Sequence, residues 1–164
     1  MLDDATIERF VREDYARVVK AVAFVSGDLA GAEDAVQEAV ARAWTRKEPI
    51  ESLTPWVVST ALNVSRSGWR RLGAERRAVQ RLEMRWSSDG PNPDGVDVRL
   101  ALAALPRRQR EVAVLRYLLA MDTREVAVAL GVSEGTVKNS LSKAREALAS
   151  RLTVQEEVPD AGDR

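Results

Sequence analysis

Lys138, Asn139, Ser142 and Lys143, with Ser133, Glu134 and Thr136 just before them, are the residues whose types and spacing carry the clearest chemistry in this chain. On a helix, residues three and four apart are neighbours, so this set would form one polar and basic surface. Such side chains hydrogen-bond to phosphate oxygens and base edges. A second run of basic residues, Arg66, Arg70, Arg71, Arg76, Arg77 and Arg81, accumulates earlier in the chain. The most compact carboxylate group, Glu33, Asp34 and Glu38, has no evident helper base or metal set around it. The 164 residues include no histidine and no cysteine. That removes thiolate chemistry, disulfides and the usual zinc ligands. The expectation is binding, with no catalytic residue, no metal and no cofactor.

The first group needs a helix to present it, and residues 122–152 read as two helices joined by a tight turn. Asp122 is suited to cap the first, with Glu125 completing a capping box. Val126 and Leu130 give that helix an apolar side, and Ala127 admits a close neighbour. Gly131 is placed to end it in the left-handed conformation. Val132 packs in the turn and Ser133 caps the second helix. Val137, Leu141, Ala144 and Leu148 recur at helical spacing and are expected to face the core. This is the pattern of a helix-turn-helix, whose second helix enters the major groove of DNA. The alternative is a helical hairpin with a solvated charged face.

The rest of the chain reads as helix too. Ile7, Phe10, Val11, Tyr15, Val18, Val22 and Val25 form one apolar stripe ending near Ser26 and Gly27. A helix follows over about 32–45, with Val36, Ala39, Val40, Ala43 and Trp44 on one side. Ser52 or Thr54 caps the next, Pro55 suits its first turn, and Trp56, Val57, Ala61 and Val64 supply its apolar side. Gly68 marks a bend or frayed end. Residues 87–96, SSDGPNPDGV, break the periodicity and read as a flexible acidic linker. Val98, Leu102 and Leu105 resume the apolar pattern, and Pro106 opens a helix with Val112, Leu115 and Leu118 inward. The fold class is therefore all-α: two small helical domains joined by a flexible linker, the C-terminal one holding the helix-turn-helix. The domains are expected at residues 1–86 and 97–152, with an acidic tail at 153–164 that leaves no room for an added regulatory domain.

The formal net charge is zero, yet its distribution is uneven. Residues 1–40 are acidic, 41–86 strongly basic, 107–152 basic, and the linker and tail acidic. Alternating blocks of this kind suit a nucleic-acid partner better than the total implies. No apolar run approaches the ~20 residues of a membrane helix, and the N-terminus lacks a secretory signal. A cytoplasmic protein without membrane insertion is expected.

Two segments, GDLAGAEDAVQEAVARAW (27–44) and ALPRRQREVAVLRYLLAMDTREVAVALGVSEGTVKNSLSKAREAL (104–148), resemble domains two and four of bacterial sigma factors. The resemblance is to the extracytoplasmic-function subgroup of the sigma-70 family. It implies binding to core RNA polymerase, recognition of promoter DNA, promoter-specific initiation of transcription, and control by an anti-sigma factor. It implies that Asp34, Gln37, Glu38 and Arg42 dock on the polymerase, the alternative being a solvated helix face. By the same resemblance Asn63, Arg66, Arg70 and Arg71 belong to the minus-ten reader, where an unstacked base is captured along a basic track. Ser133, Glu134, Thr136, Lys138, Asn139, Ser142 and Lys143 fall to the minus-thirty-five reader, with Arg107, Arg108 and Arg124 as further backbone contacts. Trp56 is read as core or as a stacking platform; Trp69 stays open. The linker is either a spacer or a strand threading the polymerase channel. The sequence departs from the family at Ser67, often aspartate, at Gly68, often bulkier, and at Ala120, often glycine. The first departure touches the preferred minus-ten sequence; the last should alter only a turn. Two rivals remain: a dimeric transcription factor using the same helix-turn-helix, which would not need the 33–44 helix, and a small hydrolase or nuclease built on Glu33, Asp34 and Glu38.

Overall fold

A computed structural model describes residues 2–71 and 98–156. All of their regular structure is helical, in the order α1 (Asp4–Glu13), α2 (Tyr15–Ser26), α3 (Leu29–Thr45), α4 (Leu53–Arg71), α5 (Val98–Ala103), α6 (Arg107–Leu118), α7 (Thr123–Leu130) and α8 (Glu134–Glu156). The expected linker at 87–96, along with Arg76 and Arg77, lies outside the described residues, as does most of the acidic tail.

The N-terminal apolar stripe is two helices rather than one. The chain breaks at Asp14, whose N–H still donates to the Phe10 carbonyl at 2.8 Å. Asp3 caps α1 by accepting from the Thr6 N–H, and hydrogen bonding to Thr6 holds its carboxyl below the ordinary aspartate range. The Asp14 carboxylate accepts from the Thr54 hydroxyl at 3.1 Å, tying the break to the start of α4. Thr54 thus lies inside α4, and Ser52 holds the position before it. Ile7 and Phe10 are buried, whereas Val11 is 51 % exposed and leaves the stripe.

α3 starts earlier than expected because Asp28 caps it, accepting from the Gly31 N–H at 3.0 Å. Ala32, Ala35, Val36, Ala39 and Ala43 line its buried side. Small residues let α3 lie close against α2 and α4, the two helices it packs on. Trp44, expected on that side, is 51 % exposed. α4 buries Val57, Val58, Ala61 and Leu62, and runs on through Gly68 without ending there.

In the C-terminal group, α6 buries Val112, Ala113, Val114 and Leu115 beneath α7 and α8. Ala120 has φ 52°, a left-handed conformation that L-residues adopt at a cost. It occupies the turn where glycine was expected, so the substitution strains that turn rather than reshaping it. The Arg116 guanidinium donates to the Met121 carbonyl at 3.0 Å and closes the loop.

The two helical groups pack on each other: α6 lies against α2, and α7 lies against α4. Their buried residues form one continuous cluster. The sequence left this relative placement open.

Candidate nucleic-acid interface

Capping fixes the helix-turn-helix locally. The Asp122 carboxylate accepts from the Glu125 N–H and the Glu125 carboxylate accepts from the Asp122 N–H, both at 2.8 Å. This is the expected capping box. Gly131, at φ 65°, ends α7. Its N–H donates to the Val128 carbonyl at 3.3 Å, and the Val132 N–H donates to the Ala127 carbonyl at 3.0 Å. Both hydrogen bonds of a Schellman motif are therefore present. Ser133 then caps α8, its hydroxyl accepting from the Thr136 N–H at 3.1 Å.

One side of α8 is pinned by burial. Val137, Ser140, Leu141 and Ala144 are buried and Leu148 half-buried. The opposite side is thereby forced outward. Ser133, Glu134, Thr136, Lys138, Asn139, Ser142 and Lys143 are all exposed. At 3.6 residues per turn, Lys138 and Lys143 stand about 140° apart around the axis and about 7.5 Å apart along it. Asn139 and Ser142 lie between them. The lysines thus sit at the two edges of the outward face and the neutral hydrogen-bonding side chains in its middle.

Arg145, which helical spacing leaves on the outward side with these residues, has a partner that sequence reading missed. The Arg145 Nε donates to the Tyr117 hydroxyl at 2.6 Å, with the guanidinium 6.0 Å from the ring centroid. An exposed tyrosine on α6 and an arginine 28 residues later give no local signal.

The other candidate residues separate into two sets. On α3, Asp34, Gln37, Glu38 and Arg42 are exposed together on the side away from the buried alanines. Arg42 donates to Glu38 at 2.8 Å across one turn. An exposed pair of this kind contributes only about 0.3–0.5 kcal/mol, so neither partner is there to hold the fold. On α4, Asn63 is exposed and points away from Val57 and Ala61. Arg66 is not grouped with it in solvent. Its guanidinium donates at 3.1 Å to Glu111, a carboxylate on α6 that is 1 % exposed. The side chains of Ser67, Trp69, Arg70 and Arg71 lie outside the described residues. Trp56 is half-buried against the core, with the Arg46 guanidinium 5.7 Å from its ring centroid.

Arg107 and Arg108, expected at a DNA backbone, also converge on Glu111, at 3.1 and 2.9 Å. Glu111 is a functional candidate that the sequence reading passed over, although its spacing from both arginines is the helical ion-pair spacing. Arg124 is exposed beside a groove of about 410 Å³ between α4 and α7, lined by Pro55, Trp56, Asp122 and Val128 among others. Among the described residues there is no group of acidic residues that could hold a metal ion, and no helix long and apolar enough to cross a membrane.

Family models match both halves of the chain. Sigma-70 region 2 matches residues 10–75 and sigma-70 region 4 matches residues 96–148. The chain is similar to the ECF RNA polymerase sigma factor SigL of Mycobacterium tuberculosis, with 34% identity over 165 residues, 93% of this chain and 92% of that protein. It is also similar to the RNA polymerase sigma-E factor of Streptomyces coelicolor, 29% identical over 91% of this chain and 87% of that protein. Among solved structures, the fold resembles the sigma factor RpoE in complex with the anti-sigma factor NepR from Bartonella quintana. There the TM-score is 0.70 at 24% identity, covering 93% of this chain and 99% of that one. It likewise resembles CnrH in complex with the cytosolic domain of CnrY, with a TM-score of 0.65 at 21% identity over 93% and 90% of the two chains.

Proposed function

The chain belongs to the sigma-70 family as a sigma factor of the extracytoplasmic-function type, and from that premise we propose how its surfaces divide the work. It binds core RNA polymerase and directs it to a class of promoters, where it takes part in opening the DNA. Nucleotide addition belongs to the polymerase, so the chain has no catalytic role of its own. The cytoplasm, where polymerase works, is its proposed site of action.

Residues 1–86 form the proposed polymerase-binding and minus-ten unit, 87–96 the linker, 97–152 the minus-thirty-five unit and 153–164 an acidic tail. Asp34, Gln37, Glu38 and Arg42 on α3 dock on the polymerase. Asn63, Arg66, Arg70 and Arg71 serve the minus-ten element. The outward face of α8 enters the major groove at the minus-thirty-five element, Lys138 and Lys143 against phosphates, Asn139 and Ser142 toward base edges. Ser133, Glu134 and Thr136 sit at the helix start, where backbone N–H groups and the hydroxyls suit phosphate oxygens. An anti-sigma factor is the proposed control partner.

The observation that supports this reading most directly is the two-sidedness of α8: every candidate reader is exposed, while Val137, Leu141 and Ala144 bury the other side. Run-off transcription with purified core polymerase tests it. Promoter-dependent transcripts are expected, and start sites mapped after overexpression should share a minus-ten and a minus-thirty-five element. Tight binding to duplex sites by a dimer without polymerase, and no initiation with it, would establish the rival transcription factor instead.

A further inference from the structure

Among the described residues Glu111 is the only buried ionisable side chain. Its oxygen Oε1 accepts from the Arg66 and Arg107 guanidiniums, and Oε2 accepts from Arg108. Arg107 and Arg108 come from its own helix, α6. Arg66 comes from α4, 45 positions away in sequence, and crosses the seam between the two helical groups. The Arg66 side chain is 24 % exposed, against 53 % and 43 % for the other two, so it is the one drawn from solvent.

We propose that Glu111 is a catch that closes the free protein by standing in for a DNA phosphate, and that promoter engagement takes Arg66 away from it. The proposal rests on the reading of Arg66 as part of the minus-ten surface. A carboxylate and a phosphate are both charge-assisted acceptors for a guanidinium, and Arg66 reaches Glu111 through a single Nη2 hydrogen bond, a contact that a phosphate can replace.

The geometry makes this exchange feasible. A buried carboxylate that loses its only partner is strongly destabilised. Glu111 has three partners, so when Arg66 leaves, Arg107 and Arg108 still satisfy both oxygens. The cluster also holds more positive than negative charge, which draws a polyanion toward it. The seam is also incompletely filled at the N-terminal half of α4, where a groove along Trp56 and Val128 stays open between α4 and α7.

Opening is also required by reach. Elements centred near minus ten and minus thirty-five are separated by about 25 base pairs, or about 85 Å at ~3.4 Å per step. A compact chain of this length has a radius of gyration of about 15 Å, far too small to place α4 and α8 on both.

The absence of cysteine allows the test to use the full chain, with dyes at Ala41→Cys on α3 and Ser150→Cys on α8, two exposed positions. Energy transfer and small-angle scattering read closure without DNA or polymerase. Glu111→Gln and Arg66→Ala should each lower the transfer efficiency and raise the radius of gyration by about a fifth or more over the compact value, with helical circular dichroism retained. Should Glu111→Gln lose helix, Arg66→Ala decides alone, because it leaves Glu111 with two partners. Both variants as compact as the parent would overturn the catch. In a second arm, a fluorescent single strand of mixed sequence, about 12 nucleotides long, should bind Glu111→Gln several-fold tighter than the parent and Arg66→Ala no tighter. Opening without that gain would overturn the transfer of Arg66 to DNA, and with it the minus-ten assignment of that residue, separately from the closure itself.

Discussion

Replacing Lys138 and Lys143 with alanine, singly and together, tests the division of α8 into phosphate-facing edges and a base-facing middle. Both lysines are exposed and lie on a face whose opposite side is fully packed, so the substitutions leave the fold undisturbed. Each phosphate contact contributes about 0.9 to the slope of log affinity against log salt on duplex DNA. Two lysines at opposite edges contact two different phosphates, so their effects should add: about 0.9 for each single variant and about 1.8 for the pair. Over a fourfold rise in salt, the affinity of the double variant should therefore fall about 12-fold less than that of the parent. The assay is fluorescence anisotropy of a labelled promoter fragment titrated with the reconstituted polymerase complex at several salt concentrations. Asn139→Ala and Ser142→Ala serve as controls from the middle of the face. They should leave the slope unchanged and relax sequence preference by about 1–3 kcal/mol per lost base contact. A parental slope in the double variant, or a slope change confined to the Asn139 variant, would refute the derivation from helix geometry.

Three further outcomes follow from the geometry. Gln37→Ala combined with Glu38→Ala should weaken competition for core polymerase while shifting thermal stability by under about 0.5 kcal/mol, because the Glu38–Arg42 pair is solvent-exposed; undiminished competition would remove α3 from the docking surface. Ala120→Gly should raise the melting temperature, since relief of about 1–2 kcal/mol of left-handed strain exceeds the extra unfolded-state entropy of about 0.4–1 kcal/mol; Gly131→Ala, at φ 65°, should lower it for the converse reason. A fall for Ala120→Gly or a rise for Gly131→Ala in calorimetric scans would contradict the strain argument at that position. Asp122→Ala removes the side-chain half of the capping box, leaving the backbone N–H of residue 122 to donate to Glu125, and should cost about 1 kcal/mol, lowering the melting temperature by about 2–4 °C in a protein of this size; no change would mean that the cap is idle.

Local signals were legible where one residue type has one physical use. Asp122 with Glu125, Gly131 and Ser133 mark the ends of α7 and the start of α8 by chemistry that involves only near neighbours. The spacing of Val137, Leu141 and Ala144 set which side of α8 faces inward. Periodicity failed at Val11 and Trp44, both half-exposed. It says which residues share a helix face but not whether a neighbouring helix covers that position. It also ran past Asp14, where the α1–α2 break is tied to Thr54 on a distant helix.

The amino-acid order alone thus settles the all-helical class, the helix-turn-helix and the outward orientation of its polar residues, because helix periodicity and capping act over three or four positions. It does not settle what a long-range partner does to an individual side chain. Arg66, Arg107 and Arg108 read alike as basic residues, yet all three meet one carboxylate, and only the packing of α6 on α2 and of α7 on α4 brings Arg66 there. A buried charge takes its partner from whichever element lies within hydrogen-bond distance, and that distance exists only once the chain has folded.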